Sequence, residues 1–341
     1  MENIPTLQDV AKALGVHKST VSLALSGKGN LSHATRVRIQ TMAKEMGYEA
    51  NPIAQRLAGR TTRPLVCLFV ALLDMGLSTE KAIRLQRALT AEGFDAPLYT
   101  DLRLVRAVRR LRPQAIVCAT QFTDESLYSE LRHYQQSGGV VVSYDTPIPL
   151  ECDQVLFDRE HNSYEAMSYL IRQGHRRIAL ALPHLSISPH APIDSSDPRT
   201  HRMRGFLKAL DEHGLTLPDE WLALSPPYEQ GGTVLAEWFL GLKERPSAMA
   251  IVNDYVALGL MSELGRAGIS LPDDLSIIGH DNQAIAAYCP VPLTTMTQPV
   301  AEIAATIVER LRARFEGDDS PPQTTVLRGN LVVRESVVPA K

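Results

Sequence analysis

Cysteine is scarce, with four in 341 residues (Cys67, Cys118, Cys152, Cys289), scattered and without a CxxC pair. That spacing rules against a disulfide framework and makes a zinc site a poor fit. Three of the four sit in or beside apolar runs, so they read as reduced and mostly buried. Long hydrophobic runs are also missing, and none reaches the roughly 18 residues that a membrane span needs. Met1-Glu2-Asn3-Ile4-Pro5 carries no basic-then-apolar leader, so a cytoplasmic protein is expected. The signatures of several enzyme classes are absent: GxSxG, a P-loop, GxGxxG after a strand, and HExxH. The chain therefore reads as a non-enzyme, with no cofactor and no metal. His175, in Gly174-His175-Arg176-Arg177, could pass for a catalytic base, but a structural place at a helix-to-strand turn is simpler. His184, His190 and His201 are too irregularly spaced for a metal site.

What is present is ordinary globular composition, 44% hydrophobic and 21% charged, over a length that allows two or three domains. The net charge of −3 hides an asymmetry. Residues 1–63 hold nine Lys/Arg against four Asp/Glu, a balance of +5, which leaves −8 for the remainder. A basic head on an acidic body suits a head that meets phosphate while the body stays clear of it.

The head opens with Thr6, a capping residue, followed by Asp9 at the position of a capping box. Leu7, Val10, Ala11 and Leu14 share one helical face, and Gly15 is placed to end that helix in the left-handed conformation. A second short helix follows, with Val16, Val21, Ala24 and Leu25 inward. A third runs from about His33 to Met46, with Val37, Ile39, Met42 and Met46 expected inside. Two short helices around a tight glycine turn have the layout of a helix-turn-helix, whose second helix enters the DNA major groove.

Asn51-Pro52 then starts, and Gly59 stops, a helix of one and a half turns, too short to stand alone in water. From Leu65 short apolar runs alternate with amphipathic helices. Strands are expected at 65–71, 95–99, 115–119, 139–144, 153–157, 177–182, 221–224, 248–252 and 275–279. Helices are expected between them, at 79–92, 124–137, 163–173, 202–213, 231–243 and 255–267. This is the pattern of parallel sheets covered on both faces. Nine strands are many for one compact sheet, so two α/β lobes are expected. The arginine run Arg103, Arg106, Arg109, Arg110 and Arg112 reads as a solvated helix face, and Pro183–Thr200 as a loop.

Together these segments resemble the lactose/galactose repressor (LacI/GalR) family of bacterial regulators. The resemblance rests on Thr6–Leu25, on Ala54-Gln55-Arg56-Leu57-Ala58-Gly59, and on Gly174-His175-Arg176-Arg177-Ile178-Ala179. It rests further on the block from Ala250-Ile251-Val252-Asn253-Asp254 to His280-Asp281-Asn282, and on Pro292-Leu293-Thr294-Thr295 with Gln298-Pro299. Five motifs in the family's order are specific. The resemblance implies an all-α helix-turn-helix head and a two-lobe, periplasmic-binding-protein-like α/β body. It also implies a homodimer on a palindromic operator of double-stranded DNA, with a sugar-like small-molecule effector in the interlobe cleft, acting more as a repressor than an activator. The implied divisions are 1–50 for the head, 51–63 for the hinge and 64–341 for the body. Lobe one is then about 64–174 and 294–324, and lobe two about 175–293 and 325–341. No leucine heptads follow Val337-Val338, so a tetramer built on them is not expected.

By correspondence Lys18, Ser19 and Leu23 face base edges, Lys18 being suited to guanine O6 and N7. Leu23 stands where many relatives carry arginine and can offer only apolar contact, for instance to a thymine methyl. His17 replaces the usual serine cap. Thr6, Thr20, Ser22, Asn30 and Arg36 are candidates for the DNA face, with Lys28, Ser32, His33 and Thr35 as further phosphate contacts or merely solvated surface. Leu57 on the hinge is either packed against the body or a wedge into the minor groove, with Asn51, Ala54 and Ala58 lining the groove beside it. For the effector the resemblance implies Arg202, Asn253, Asp281 and Tyr228, and less directly His161 and Gln298. A guanidinium and a carboxylate can each bind paired hydroxyls at two points. Strand-end capping by Asn253 and Asp281, and a surface salt bridge for Arg202, are the alternatives. Leu72–Leu77 lacks the polar and aromatic residues that many relatives place after the first strand.

Overall fold

The computed structural model describes residues 5–27, 29–48, 63–70, 76–101, 111–119, 125–145, 147–183, 198–226 and 228–341. The hinge residues Asn51, Ala54, Leu57 and Ala58, and Lys28, lie outside them, as do Leu72–Met75 and His184–Asp197. The chain divides into two compact units, a head unit of Met1–Pro64 with Arg110–Arg112 and a body of Leu65–Arg109 and Pro113–Lys341.

In the head, α1 (Leu7–Leu14), α2 (Lys18–Leu25) and α3 (His33–Glu45) enclose a core of Val10, Ala11, Leu14, Val21, Ala24, Ile39 and Ala43. Thr6 and Asp9 form the full capping box, and Gly15 ends α1 at φ 64°. Val37 is a correction: it is 44% exposed. Two residues apart on a helix is about 200°, so Val37 and Ile39 cannot both point inward. Ile39 and Ala43 take the buried face, with Met42 and Met46 packed against it.

The body is two parallel sheets of matching order. Lobe one holds β1 (Val66–Val70), β2 (Leu98–Tyr99), β3 (Ala115–Ala119), β4 (Val140–Asp145), β5 (Asp153–Phe157) and β11 (Thr324–Leu327), ordered β11-β5-β4-β3-β1-β2. Lobe two holds β6 (Ile178–Pro183), β7 (Leu222–Ser225), β8 (Ala248–Ile251), β9 (Ser276–Asp281), β10 (Thr294–Thr297) and β12 (Leu331–Val332), ordered β12-β10-β9-β8-β6-β7. Among the described residues only the β10–β12 pair is antiparallel. The helices are α4 (Gly76–Ala91), α5 (Glu125–Gln136), α6 (Arg159–Arg172), α7 (Pro198–Asp211), α8 (Glu229–Gly241), α9 (Asp254–Arg266) and α10 (Val300–Phe315). The nine expected strands are all present, each within a few residues of its expected span.

The lobe boundaries differ from expectation. Crossing occurs near Asp158 rather than 174, because α6 buries Ala166, Met167, Leu170 and Ile171 in the core of lobe two. Thr294–Thr297 stays in lobe two, paired with β9, and Thr324–Leu327 lies in lobe one, paired with β5. Helix α10 returns to lobe one, where Ile303, Ala304, Ile307 and Leu311 enter its core and Arg314 grips the Asp153 carboxylate through Nε and Nη2.

The three crossovers are tied to one another. Asn162 donates from Nδ2 to Thr297 O (2.8 Å) and accepts at Oδ1 from Gly329 N (3.0 Å). Asn330 N donates to Thr297 Oγ1 (2.7 Å), and Arg328 Nε donates to Asp158 Oδ2 (3.1 Å). Gly329 admits no side chain, since a Cβ would meet Thr297 O at 1.9 Å.

Close helix pairs complete lobe two. Helix α8 approaches α9 at Gly232, where a Cβ would sit 2.2 Å from Leu260 N. Because that neighbour is backbone, it cannot swing aside, and Gly232→Ala is expected to cost about 1–3 kcal/mol by forcing the helices apart. A urea midpoint equal to that of the wild type would show that the pair can separate freely.

Candidate functional site

The head presents the N-terminal half of α2. Lys18 and Ser19 are exposed, and Thr20 and Ser22 half-buried. His17 is the N-cap without a side-chain capping bond, and its Nδ1 lies 3.0 Å from Ser19 Oγ instead. The first turn of α2 therefore keeps uncapped N–H groups, the arrangement that attracts a phosphate. Leu23 is 37% exposed, with part of its side chain against Gly29, where a Cβ would lie 3.3 Å from its methyls. Asn30 beside it is exposed. Arg36 is partly committed there, because Nη2 donates to Gly29 O (3.2 Å). Ser32 and Thr35 are used locally, Ser32 Oγ accepting from Thr35 N to cap α3.

In the body, ligands of open parallel sheets bind at the carboxyl ends of strands. Two aspartates close equivalent strands there, Asp145 on β4 and Asp281 on β9, each third from one edge of its sheet. Both take positive φ, 82° and 102°, in a region that ordinary side chains rarely enter. Strain at the same place in both sheets marks a site.

Asp145 is buried with two cations. Lys81 Nζ (2.7 Å) and Arg159 Nη2 (2.9 Å) both meet its Oδ1, and Arg159 Nη1 donates to its backbone carbonyl (2.6 Å). The three side chains are each about 5% exposed or less. Burial alone would raise the Asp145 pKa, but Arg159 and Lys81 outweigh it and hold the carboxylate well below its usual range. Burial lowers the Lys81 pKa against the pull of Asp145.

Asp281 is held differently. Its Oδ1 accepts from Gln298 Nε2 (2.6 Å), and burial raises its pKa while Arg202 pulls it down. Lys81 and Asp145 of lobe one also act on Asp281, and Arg202 of lobe two acts on Asp145, so the two strand ends lie within reach of each other's charge. The Asp281 turn is pinned from beneath. Buried Asp254 accepts from Thr295 Oγ1 (2.7 Å) and Gln283 N (2.8 Å), and Asn282 Oδ1 accepts from Arg334 Nη2 (2.8 Å). Beside it His280 is neutral, its pKa driven down to about 3 by burial and by Arg202.

The structure thus brings together Arg202, Asp281 and Gln298. Asn253 instead spends its side-chain carbonyl on the N-cap of α9, accepting from Tyr255 N (2.8 Å) and Val256 N (3.3 Å). His161 and Tyr228 are half-buried near the starts of α6 and α8. His175 is structural, with Nδ1 2.9 Å from Ser247 Oγ and Nε2 3.0 Å from Val338 O. All four cysteines are free and buried. Among the described residues no helix is long and apolar enough to cross a membrane, and no cluster of His, Cys, Asp and Glu fits a metal ion.

Residues 6–51 match the model of bacterial regulatory proteins of the lacI family, and residues 167–337 match the periplasmic binding protein-like domain. The chain joins a LacI-family regulatory head to a periplasmic binding protein-like body. It is 28% identical to the HTH-type transcriptional repressor PurR of Vibrio vulnificus over 97% of this chain and 98% of that protein. It is also 28% identical to the HTH-type transcriptional regulator AscG of Escherichia coli K12, over 98% of each. In fold it is similar to a Lac repressor dimer solved on operator with an anti-inducer (TM-score 0.78, 21% identity, 98% of this chain and 100% of that one). It is likewise similar to the regulator CelR in complex with cellobiose (TM-score 0.68, 23% identity, 98% and 100%). Its relatives are DNA-binding regulators, and the enzyme reading falls away.

Sequence reasoning missed Lys81, Asp145 and Arg159. A signal existed for the first: Leu77, Lys81, Leu85 and Leu89 recur every four residues, which puts a lysine in the middle of an apolar stripe. A lysine there needs a buried partner. Removing that partner, Asp145→Asn, strands two cations and is expected to destabilise the body by about 3–5 kcal/mol, whereas Lys81→Met leaves the Arg159 pair and costs far less. Because the Asp145 pKa is depressed on folding, its contribution is present above the ordinary carboxylate pKa of about 4 and lost below it. Urea unfolding of both variants between pH 3 and 7 checks this, and equal losses in the two would contradict it.

Proposed function

We propose that this chain is a cytoplasmic, sequence-specific transcriptional repressor that grips a palindromic operator as a homodimer. Its hold on DNA is set by a small, sugar-like molecule between the lobes. The observation that carries the reading is the meeting of Arg202, Asp281 and Gln298 from one lobe with the buried charges of the other. Such groups offer two-point hydrogen bonding to hydroxyls, and the crossovers beside them give the lobes a shared axis. A Lac repressor dimer bound to operator and a regulator bound to ribose among the structural relatives fit the same reading.

At the DNA, Lys18, Ser19 and Leu23 face bases, and Thr6, Thr20, Ser22, Asn30 and Arg36 serve the backbone. The hinge, 51–63, folds on the duplex, with Leu57 as the minor-groove wedge and Asn51, Ala54 and Ala58 beside it. In the cleft, Arg202, Asp281 and Gln298 hold the effector, with His161, Tyr228 and the amide of Asn253 around them. Effector binding then favours one lobe arrangement and shifts the cost of bringing two hinges together.

Selection of duplexes from a random pool by the purified chain tests this. A palindrome with a fixed centre is expected, and Leu57→Ala is expected to weaken that consensus about tenfold or more while sparing non-specific binding. Enrichment of non-palindromic sites, or equal loss on both kinds of DNA, would overturn the reading.

A further inference from the structure

The body is acidic as a whole, but one edge of it is not. From Leu102 to Gln114 the sequence carries five arginines and no Asp or Glu, and from Ala50 to Arg63 three arginines and no Asp or Glu. The fold brings the ends of these two stretches together. Arg63 stands two residues before Leu65, and Arg112 two residues before Gln114. Leu65 and Gln114 are bonded to each other at the leading ends of β1 and β3. Leu65 N donates to Gln114 Oε1 (2.7 Å), and Gln114 N donates to Leu65 O (2.9 Å). Arg110–Arg112 accordingly group with Met1–Pro64. Arg63 and Arg112 are both exposed. Among the described residues neither makes an ion pair or a hydrogen bond, not even with Asp95 on the far side of Leu65. Arg112 is fastened at its base, because Pro113 is buried and its carbonyl accepts from Tyr134 Oη (2.7 Å). Arg112 itself sits at φ 49°, a conformation that few residues other than glycine take.

Two exposed guanidiniums at neighbouring strand starts, each without a partner of its own, match a row of phosphates. Each offers a planar fork of N–H donors to phosphate oxygens. Their place in the chain favours a duplex over other polyanions. Arg63 is the last residue of the hinge, and six residues of chain, at most about 20 Å, separate it from Leu57. Resting on the reading of the hinge as a segment that folds on DNA, we propose that the body itself contacts the operator. Arg112, with Arg63 near it, grips the sugar–phosphate backbone beside the minor groove that Leu57 enters. The contact is to phosphate, so it adds affinity and salt dependence without reading sequence.

The test uses the full chain with the palindrome it selects and with single-base-pair variants of that palindrome. Dissociation constants are read by fluorescence anisotropy between about 50 and 200 mM salt. Arg112→Gln removes the charge while making the same demand on the backbone. The slope of log affinity against log salt is expected to fall by about 1 per subunit, about 2 for a dimer. Affinity should fall by one common factor on the palindrome and on its variants, because no base contact is lost. Arg112→Lys, which keeps the charge, should keep the slope, and Arg63→Gln should behave as Arg112→Gln does. All three variants should unfold at the wild-type temperature, since neither side chain is buried or paired. An unchanged slope in Arg112→Gln would overturn the proposal and leave the reading of head and hinge in place. So would a loss that differs from one base variant to the next, which would mark Arg112 as a reader of sequence. A wild-type chain that binds no duplex would remove that reading and the proposal together.

Discussion

One buried carboxylate organises the lobe-one face of the cleft. Asp145 ends a largely buried strand and would be expensive to bury alone, so Lys81 and Arg159 both reach it. Each comes from a different part of the fold, Lys81 from a helix of lobe one and Arg159 from the first residue after the first crossover. The same contact therefore fixes the strand end, the helix beside it and the start of the path into lobe two. Phe157 lies under both cations, 5.9 Å from Lys81 Nζ and 5.5 Å from Arg159 Cζ, and adds an aromatic face to the arrangement.

The matching aspartate of the second sheet is treated in the opposite way. Asp281 accepts from a neutral amide, Gln298, and Arg202 and Lys81 act on it electrostatically. A pair of pseudo-equivalent positions thus divides into one carboxylate whose pKa two cations hold down and one whose pKa burial raises. Asp254 serves the second by gripping the turn that follows it, and Gly279 leaves room for that carboxylate, since a Cβ there would meet Asp254 Oδ1 at 2.3 Å. The crossovers are bound to one another by Asn162, Thr297 and Asn330, so a change between the lobes is carried by a few connected backbone segments rather than by the sheets.

Much of this was legible in the residues, for physical reasons that also explain what was not. The head could be read because its caps are local: Thr6 with Asp9, and Gly15, act over three or four residues. Fully buried central strands announce themselves as apolar runs such as Val66–Val70 and Ala115–Ala119. The strands Thr324–Leu327 and Thr294–Thr297 are short and rich in threonine, and nothing local distinguishes them from loop, which is why the lobe boundaries were misplaced. Arg202, Asp281 and Gln298 came from the family resemblance. The Lys81–Asp145–Arg159 triad joins residues 64 and 14 positions apart, and no spacing rule links them. Asn253 shows the limit of correspondence, since its carbonyl caps a helix here.

The central claim is that the cleft and the DNA face are thermodynamically coupled through Asp281 and its neighbours. The most direct measurement is the operator dissociation constant of the full chain with and without the low-mass fraction of a bacterial cell extract, in wild type and in Asp281→Asn. The account predicts a change of about 5–150-fold in the wild type, the usual range of such coupling, and none in the variant. An operator affinity indifferent to the extract, or an equal response in Asp281→Asn, would contradict it.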